Sequence, residues 1–222
     1  MDFKTLIEEI KRETQISLAE DDAINLMFSY PRPKALEVKN KFPEARKSAV
    51  NIFLFQKNQK ILFPVIKRPK YNGHHSQQIS LPGGKHELND SDLNFTSKRE
   101  TFEEVGIGIN LQKSITKLSD IYIPPSNFIV SPYITFHENK QCPIFMKNDY
   151  EVEQIIYIDI LDIINFKNII ETSIILKDNK SIKVKAFQIQ NEIIWGATGI
   201  ILAEFSIILK RIFKKKNILQ HK

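Results

Sequence analysis

Glu100, Glu103 and Glu104 stand at i, i+3 and i+4, so a helix through this stretch sets all three carboxylates on one face. Three anions so placed repel one another in an isolated helix, by about 0.2–0.5 kcal/mol per pair. A hard divalent cation among them turns that repulsion into binding. Mg²⁺ favours carboxylate oxygens, keeps several waters and is completed by substrate phosphates. Arg99, one position before Glu100 and four before Glu103, is placed to pair with and orient a carboxylate. Upstream, the glycines of Pro82-Gly83-Gly84 have no Cβ and let backbone approach a ligand closely.

These residues need elements to position them. The pattern turns helical from about Ser91 to Val105, and Gly106 is placed as its C-cap. Before it, two runs rich in Ile, Val and Phe, residues 49–55 and 61–66, read as strands joined by the polar residues 56–60. Residues 79–81 make a short strand ending at Pro82. Further strands are expected over 129–136, 152–160, 168–176 and 182–189. Phe3, Leu6, Ile7 and Ile10 recur at helical spacing, so the chain opens with an amphipathic helix. Pro31, Pro33 and Pro43 break the stretch from Tyr30 to Pro43 into a connecting arm. A terminal helix starts near Ala197, with Ile200, Ile201, Phe205, Ile208 and Leu209 on its apolar face. Strands with one helix among them and another at the end imply a mixed α/β layer domain. The expected division is an N-terminal helix and arm over 1–44, packing on a domain over 45–222.

Composition bounds the function. The chain has 222 residues, 42% hydrophobic and 26% charged, which excludes a disordered or collagen-like protein. The single cysteine, Cys142, excludes an intramolecular disulfide and a zinc site of several thiolates. The first residues show no signal-peptide apolar core, and no apolar run approaches the roughly 18–20 residues of a membrane span. A soluble protein of the cytoplasm is expected. The net charge of +6 invites a nucleic-acid reading. However, residues 210–222 hold six cations and no acid. Removing those six from the 32 basic residues leaves 26, equal to the 26 acidic ones. The excess belongs to the tail, which reads as a solvated helix end whose cations complement the helix dipole. Nucleic acid is therefore not the expected partner, and deleting the tail is expected to leave catalysis largely intact.

Other signals carry less. Asp90, Asp92 and Asn94 imitate the start of a calcium loop, but Phe95 and Thr101 stand where glycine and glutamate are required. No phosphate-binding P-loop is present. Cys142 reads as an inert thiol, and Trp195 as a core aromatic ahead of the terminal helix.

The stretch from Gly84 to Ile107 resembles the Nudix box, G-x5-E-x7-R-E-U-x-E-E-x-G-U. Gly84 matches its opening glycine, and Arg99, Glu100, Glu103, Glu104, Gly106 and Ile107 match its second half. Asp90 replaces the first glutamate and one residue is added before Arg99, a lengthening shared with the coenzyme A diphosphatase subgroup. Asp90 is read as a helix N-cap in preference to a metal ligand. The run from Arg68 to Gly84 is similar to that subgroup's upstream motif, R-S-x3-R-x-H-x-G-Q before P-G-G. Arg68, His75 and Gln78 match it, whereas Pro69, Gly73 and Gln77 depart from it. Landmarks near residues 123–133, 151–152 and 195–198 extend the resemblance over about residues 45–210.

The resemblance implies an α/β/α sandwich of the Nudix type with a mixed sheet between helices. It implies hydrolysis of the diphosphate of coenzyme A or a CoA derivative, giving 3′,5′-ADP and 4′-phosphopantetheine. The alternative is another nucleoside diphosphate derivative, such as ADP-ribose or a dinucleotide. Mg²⁺ or Mn²⁺ is the implied cofactor, held mainly by Glu100 and Glu104, with Glu103 direct or through water and the Gly83 carbonyl as a further ligand. Arg68, His75, Gln78 and Gly84 are the implied substrate contacts, and Arg99 the orienting cation. The general base is Glu100 or a glutamate from a later loop, for which Glu151 is the candidate. A small-molecule nucleotide is thus the expected partner, with the chain a monomer or homodimer.

Overall fold

The computed structural model describes residues 1–28, 44–70, 77–175 and 181–217. Its frame is set by β1 (Arg46–Lys57) and β2 (Lys60–Lys67), a hairpin closed by Asn58 and Gln59 with φ of 50° and 63°. Two successive positive φ values match the right-handed strand twist, so the connection needs two residues where the sequence suggested five. On one side β1 runs parallel to β7 (Phe128–Phe136), from Arg46 opposite Phe128 to Leu54 opposite Phe136. On its other side β1 changes partner. Ser48–Val50 pair with β4 (Gly83–Lys85), and Phe55–Lys57 pair with β2. β2 is flanked by β3 (Ile79–Ser80) and β8 (Gln154–Asp159), while β5 (Lys113–Lys117) and β6 (Ile121–Ile123) both pair with β7. The sheet is mixed, as expected.

Strand alternation divides its side chains between two cores. Ile52, Leu54, Phe63, Val65 and Ile134 pack with α1 (Phe3–Ile16), α2 (Glu20–Met27), the short α4 (Ile160–Ile164) and the terminal α5 (Gly196–Lys215). Phe53, Phe55, Leu62 and Ile66 face the other way, onto Val105 of α3 (Leu93–Val105), Ile107 and Val152. Helices on both faces make the α/β/α sandwich. β9 (Ile169–Ile175), β10 (Ser181–Ile189) and β11 (Glu192–Ile194) form a separate antiparallel sheet that sends Phe187, Ile189 and Ile194 into the first core. The expected strands at 129–136, 152–160, 168–176 and 182–189 correspond to β7, β8, β9 and β10, with β8 starting two residues later than expected. Leu176 and the arm from Tyr30 to Pro43 lie outside the described residues. Among the described residues, no helix is long and apolar enough to cross a membrane.

The tail departs from expectation in part. Ile212 and Phe213 are core residues, so the terminal helix extends its apolar face well into the basic stretch. Lys215 Nζ meets Glu13 Oε2 at 2.6 Å, Lys216 meets Glu9 at 3.0 Å and Arg211 meets Asp22 at 3.2 Å. Glu9 and Glu13 are buried on α1 and need these cations to offset their desolvation. The basic end is a docking seam for the N-terminal helices. Its last described turn, with Lys214, Lys215 and Lys216, is still exposed to solvent, as expected of a basic helix end.

Candidate active site

α3 starts at Leu93, and its N-cap is Asp92, whose Oδ1 accepts from Phe95 N at 2.7 Å. Asp90 is thus not the cap expected from sequence. Its buried carboxylate instead accepts from Arg99 Nε at 2.8 Å, Arg99 Nη2 at 3.0 Å, Thr96 Oγ1 at 2.8 Å and Glu87 N at 3.0 Å. These donors, Arg99 first, hold the Asp90 carboxyl well below the usual carboxylate range. At the other end of the helix Gly106 adopts φ 77°, the left-handed cap.

Arg99 divides the acidic trio. Its Nη1 donates to Glu100 Oε1 at 3.0 Å and to Glu103 Oε2 at 2.8 Å, and its Nη2 donates to Lys85 O at 3.1 Å. The Glu103 side chain is 44% exposed at the rim. Glu100 and Glu104 turn toward the sheet. Glu104 is 2% exposed, and its Oε2 accepts from Gly83 N at 2.9 Å. Burial pushes the Glu104 carboxyl up to about 8, against the opposing pull of the Gly83 N–H and the Arg68 charge. Glu100 is also raised, by burial first, with Arg99 opposing. The Glu151 charge adds to both, so Glu100, Glu104 and Glu151 lie within electrostatic reach of one another.

Two glycines make the space. A Cβ on Gly84 would run into the Glu100 carboxylate, and one on Gly83 into the Ala49 carbonyl of β1. Behind α3, the fully buried Asn51 fixes the helix to the sheet. Its Nδ2 donates to Thr101 Oγ1 at 3.1 Å and Gln112 Oε1 at 2.9 Å, and its Oδ1 accepts from Thr135 Oγ1 at 2.9 Å. Across the helix end, Met146 N and Asn148 N each donate at 3.0 Å, to the Val105 and Glu104 carbonyls. This strap delivers Glu151, itself exposed, to the carboxylates. Sequence reasoning found none of Asn51, Gln112, Thr135 or the strap, because each acts only through contacts distant in the chain.

The remaining candidates are spread unevenly. Arg68 reaches the site by its charge on Glu104, and its N donates to Gln78 O at 3.1 Å, which puts both at the sheet edge beside it. His75 lies outside the described residues. Trp195 is half-buried at the head of α5 and is not a core residue, while Cys142 packs at the edge of the second core.

The donors suit a hard cation. Glu100 and Glu104 offer carboxylate oxygens whose charge burial leaves undercompensated, and Gly84 gives Glu100 its place. Among the described residues, no three acidic, imidazole or thiol side chains form a preassembled metal cluster. Arg99 holds Glu103 at the rim, while Glu100 and Glu104 lie deeper. Mg²⁺ is commonly bound through one or two carboxylates together with substrate phosphates.

The NUDIX domain family profile matches residues 45–171. Nudix hydrolase 15, mitochondrial, from Arabidopsis thaliana is 38% identical over 74 residues, 33% of this chain and 26% of that protein. The chain thus spans about a quarter of the length of that relative. Among solved structures, the MutT protein from Methanosarcina mazei shares 14% identity at a TM-score of 0.46, covering 78% of this chain and 94% of that one. A C. elegans Ap4A hydrolase binary complex shares 16% at 0.44, covering 53% and 83%.

Proposed function

The chain belongs to the NUDIX domain family, and we propose that it hydrolyses the diphosphate bond of coenzyme A or a CoA derivative with Mg²⁺ or Mn²⁺. The observation that carries the hydrolase reading is the buried Glu104, fixed by the Gly83 N–H beside Glu100 and within reach of Glu151. Glu100 and Glu104 would hold the cation, with Glu103 contributing directly or through water and the Gly83 carbonyl as a further ligand. When bound, the cation neutralises the diphosphate and lowers the pKa of the attacking water. Arg99, anchored on Asp90, orients Glu100 and Glu103. Glu151 takes the proton from the attacking water, because it is exposed and, unlike Glu103, is not engaged by Arg99. Arg68, His75 and Gln78 bind the substrate, and Gly84 lets the diphosphate approach the helix.

The CoA assignment is supported by the run from Arg68 to Gly84, in which Arg68, His75 and Gln78 keep the subgroup's pattern. Gly73, standing where that pattern has a second arginine, favours a second reading with ADP-ribose or a dinucleotide as substrate. Hydrolysis assays with Mg²⁺ on CoA, ADP-ribose, NADH and diadenosine polyphosphates separate them. CoA is expected to be cleaved fastest. Brisk cleavage of ADP-ribose with none of CoA overturns the first substrate, and no cleavage of any overturns the hydrolase reading.

A further inference from the structure

Arg68 Nε and Ser80 Oγ are buried polar atoms without a hydrogen-bond partner among the described residues. The β2–β3 register brings them to one face of the sheet. Ile66 pairs with Ser80, and Arg68 N bonds Gln78 O one step further along. Ile66, Arg68 and Ser80 therefore project from the same face. It is the α3 face, since Ile66 packs with Val105 and Val152, whereas Ile79 and Leu81 on either side of Ser80 pack in the opposite core. Diagonal neighbours across a strand pair lie about 7–8 Å apart at Cα, within reach of an arginine side chain. The Arg68 charge acts on Glu104, whose carboxylate is held by Gly83, three residues after Ser80.

We propose that Ser80 Oγ–H and Arg68 Nε–H are a donor pair for one non-bridging oxygen of the substrate's diphosphate, which makes Ser80 a binding residue outside the sequence motifs. The Arg68 charge acts on Glu104, yet neither Arg68 Nε nor Ser80 Oγ donates to a carboxylate. Two buried donors left unpaired on one sheet face are costly unless an acceptor meets them. A phosphate oxygen only accepts, and its negative charge matches the guanidinium.

The inference rests on the diphosphatase reading, and the experiment keeps the two apart. Ser80→Ala, Arg68→Lys and the double variant are compared with wild type in steady-state kinetics on the best diphosphate substrate. Calorimetric binding of methylenediphosphonate with Mg²⁺ and thermal midpoints complete the comparison. Ser80→Ala is expected to weaken methylenediphosphonate binding and raise KM by about tenfold, the effect of one charge-assisted hydrogen bond. Its kcat should stay within about twofold, as for loss of uniform binding. The thermal midpoint should hold, because the hydroxyl has no protein partner to lose. The double variant should lose less than the product of the two single effects, as for groups sharing one oxygen. Unchanged KM and binding in Ser80→Ala overturn the inference while leaving the diphosphatase intact. So does a fall in thermal midpoint that accounts for the lost activity. A wild-type protein that neither binds methylenediphosphonate nor cleaves a nucleoside diphosphate derivative overturns both.

Discussion

The Asp90 carboxylate, nine residues before Arg99, takes two hydrogen bonds from that guanidinium, at 2.8 and 3.0 Å. The Asp90 side chain is 1% exposed and that of Arg99 is 14% exposed. Arg99 is thereby held so that its remaining donors meet Glu100 and Glu103. Asp90 thus works as a positioning residue for the acids through Arg99.

Asp90→Asn removes one anion and leaves Arg99 short of an acceptor, so a loss of about 1–3 kcal/mol is expected. Urea unfolding at neutral pH measures it. The sign with pH follows from the direction of the shift. Because the folded Asp90 carboxyl lies below its ordinary 3.8, its contribution is complete above that value and fades as pH falls below it. Acid unfolding of wild type should show that fade, and the variant should lack it.

Glu104 has the opposite sign. Its carboxyl sits at about 8 in the fold against an ordinary 4.5, so the unfolded chain releases this proton first. Stability of the cation-free protein should decline between about pH 4.5 and 8 and then level off. Glu104→Gln keeps an acceptor for Gly83 N, removes the slope and should unfold later than wild type at pH 8–9. Its hydrolytic rate should fall by at least about a hundredfold, as expected for a lost cation ligand.

Gly84→Ala separates a steric effect at the site from a fold effect. Gly84 has no left-handed φ, and the group its Cβ would meet is the movable end of Glu100. The thermal midpoint should change little. Activity should fall by about tenfold or more, because a displaced carboxylate misplaces what it holds.

Glu151→Gln tests the proton acceptor. Loss of a general base lowers kcat by about a hundredfold or more, and KM should stay within about threefold because no binding contact is removed. Normal kcat in this variant moves the role to Glu100.

The tail should prove indispensable to the fold. Deleting residues 210–222 removes Ile212 and Phe213, each worth about 1.5–3 kcal/mol of burial. Lys215→Ala alone should cost only about 1 kcal/mol, as for a half-exposed ion pair. Chemical unfolding of both variants checks the ranking.

Local periodicity made much of this protein legible. Glu100, Glu103 and Glu104 share a helix face, Gly106 closes that helix, and the alternating Ile, Val and Phe residues of β1 and β2 form strands. Each follows from spacings of two to four residues, which backbone geometry fixes without help from the rest of the chain. The division of the acidic trio was not legible in this way. Arg99 chose Asp90 over the helix-capping role the sequence suggested for that aspartate, because Asp92 was closer to the helix start. Glu151 reached Glu100 and Glu104 through a strap bonded to the end of α3. Ser80 met the face of Arg68 only through the β2–β3 register, and Lys215 found Glu13 from the far end of the chain. Spacing determines which side chains share a surface. Strand register, burial and competition among distant charges decide which of them meet, and those exist only in the folded chain.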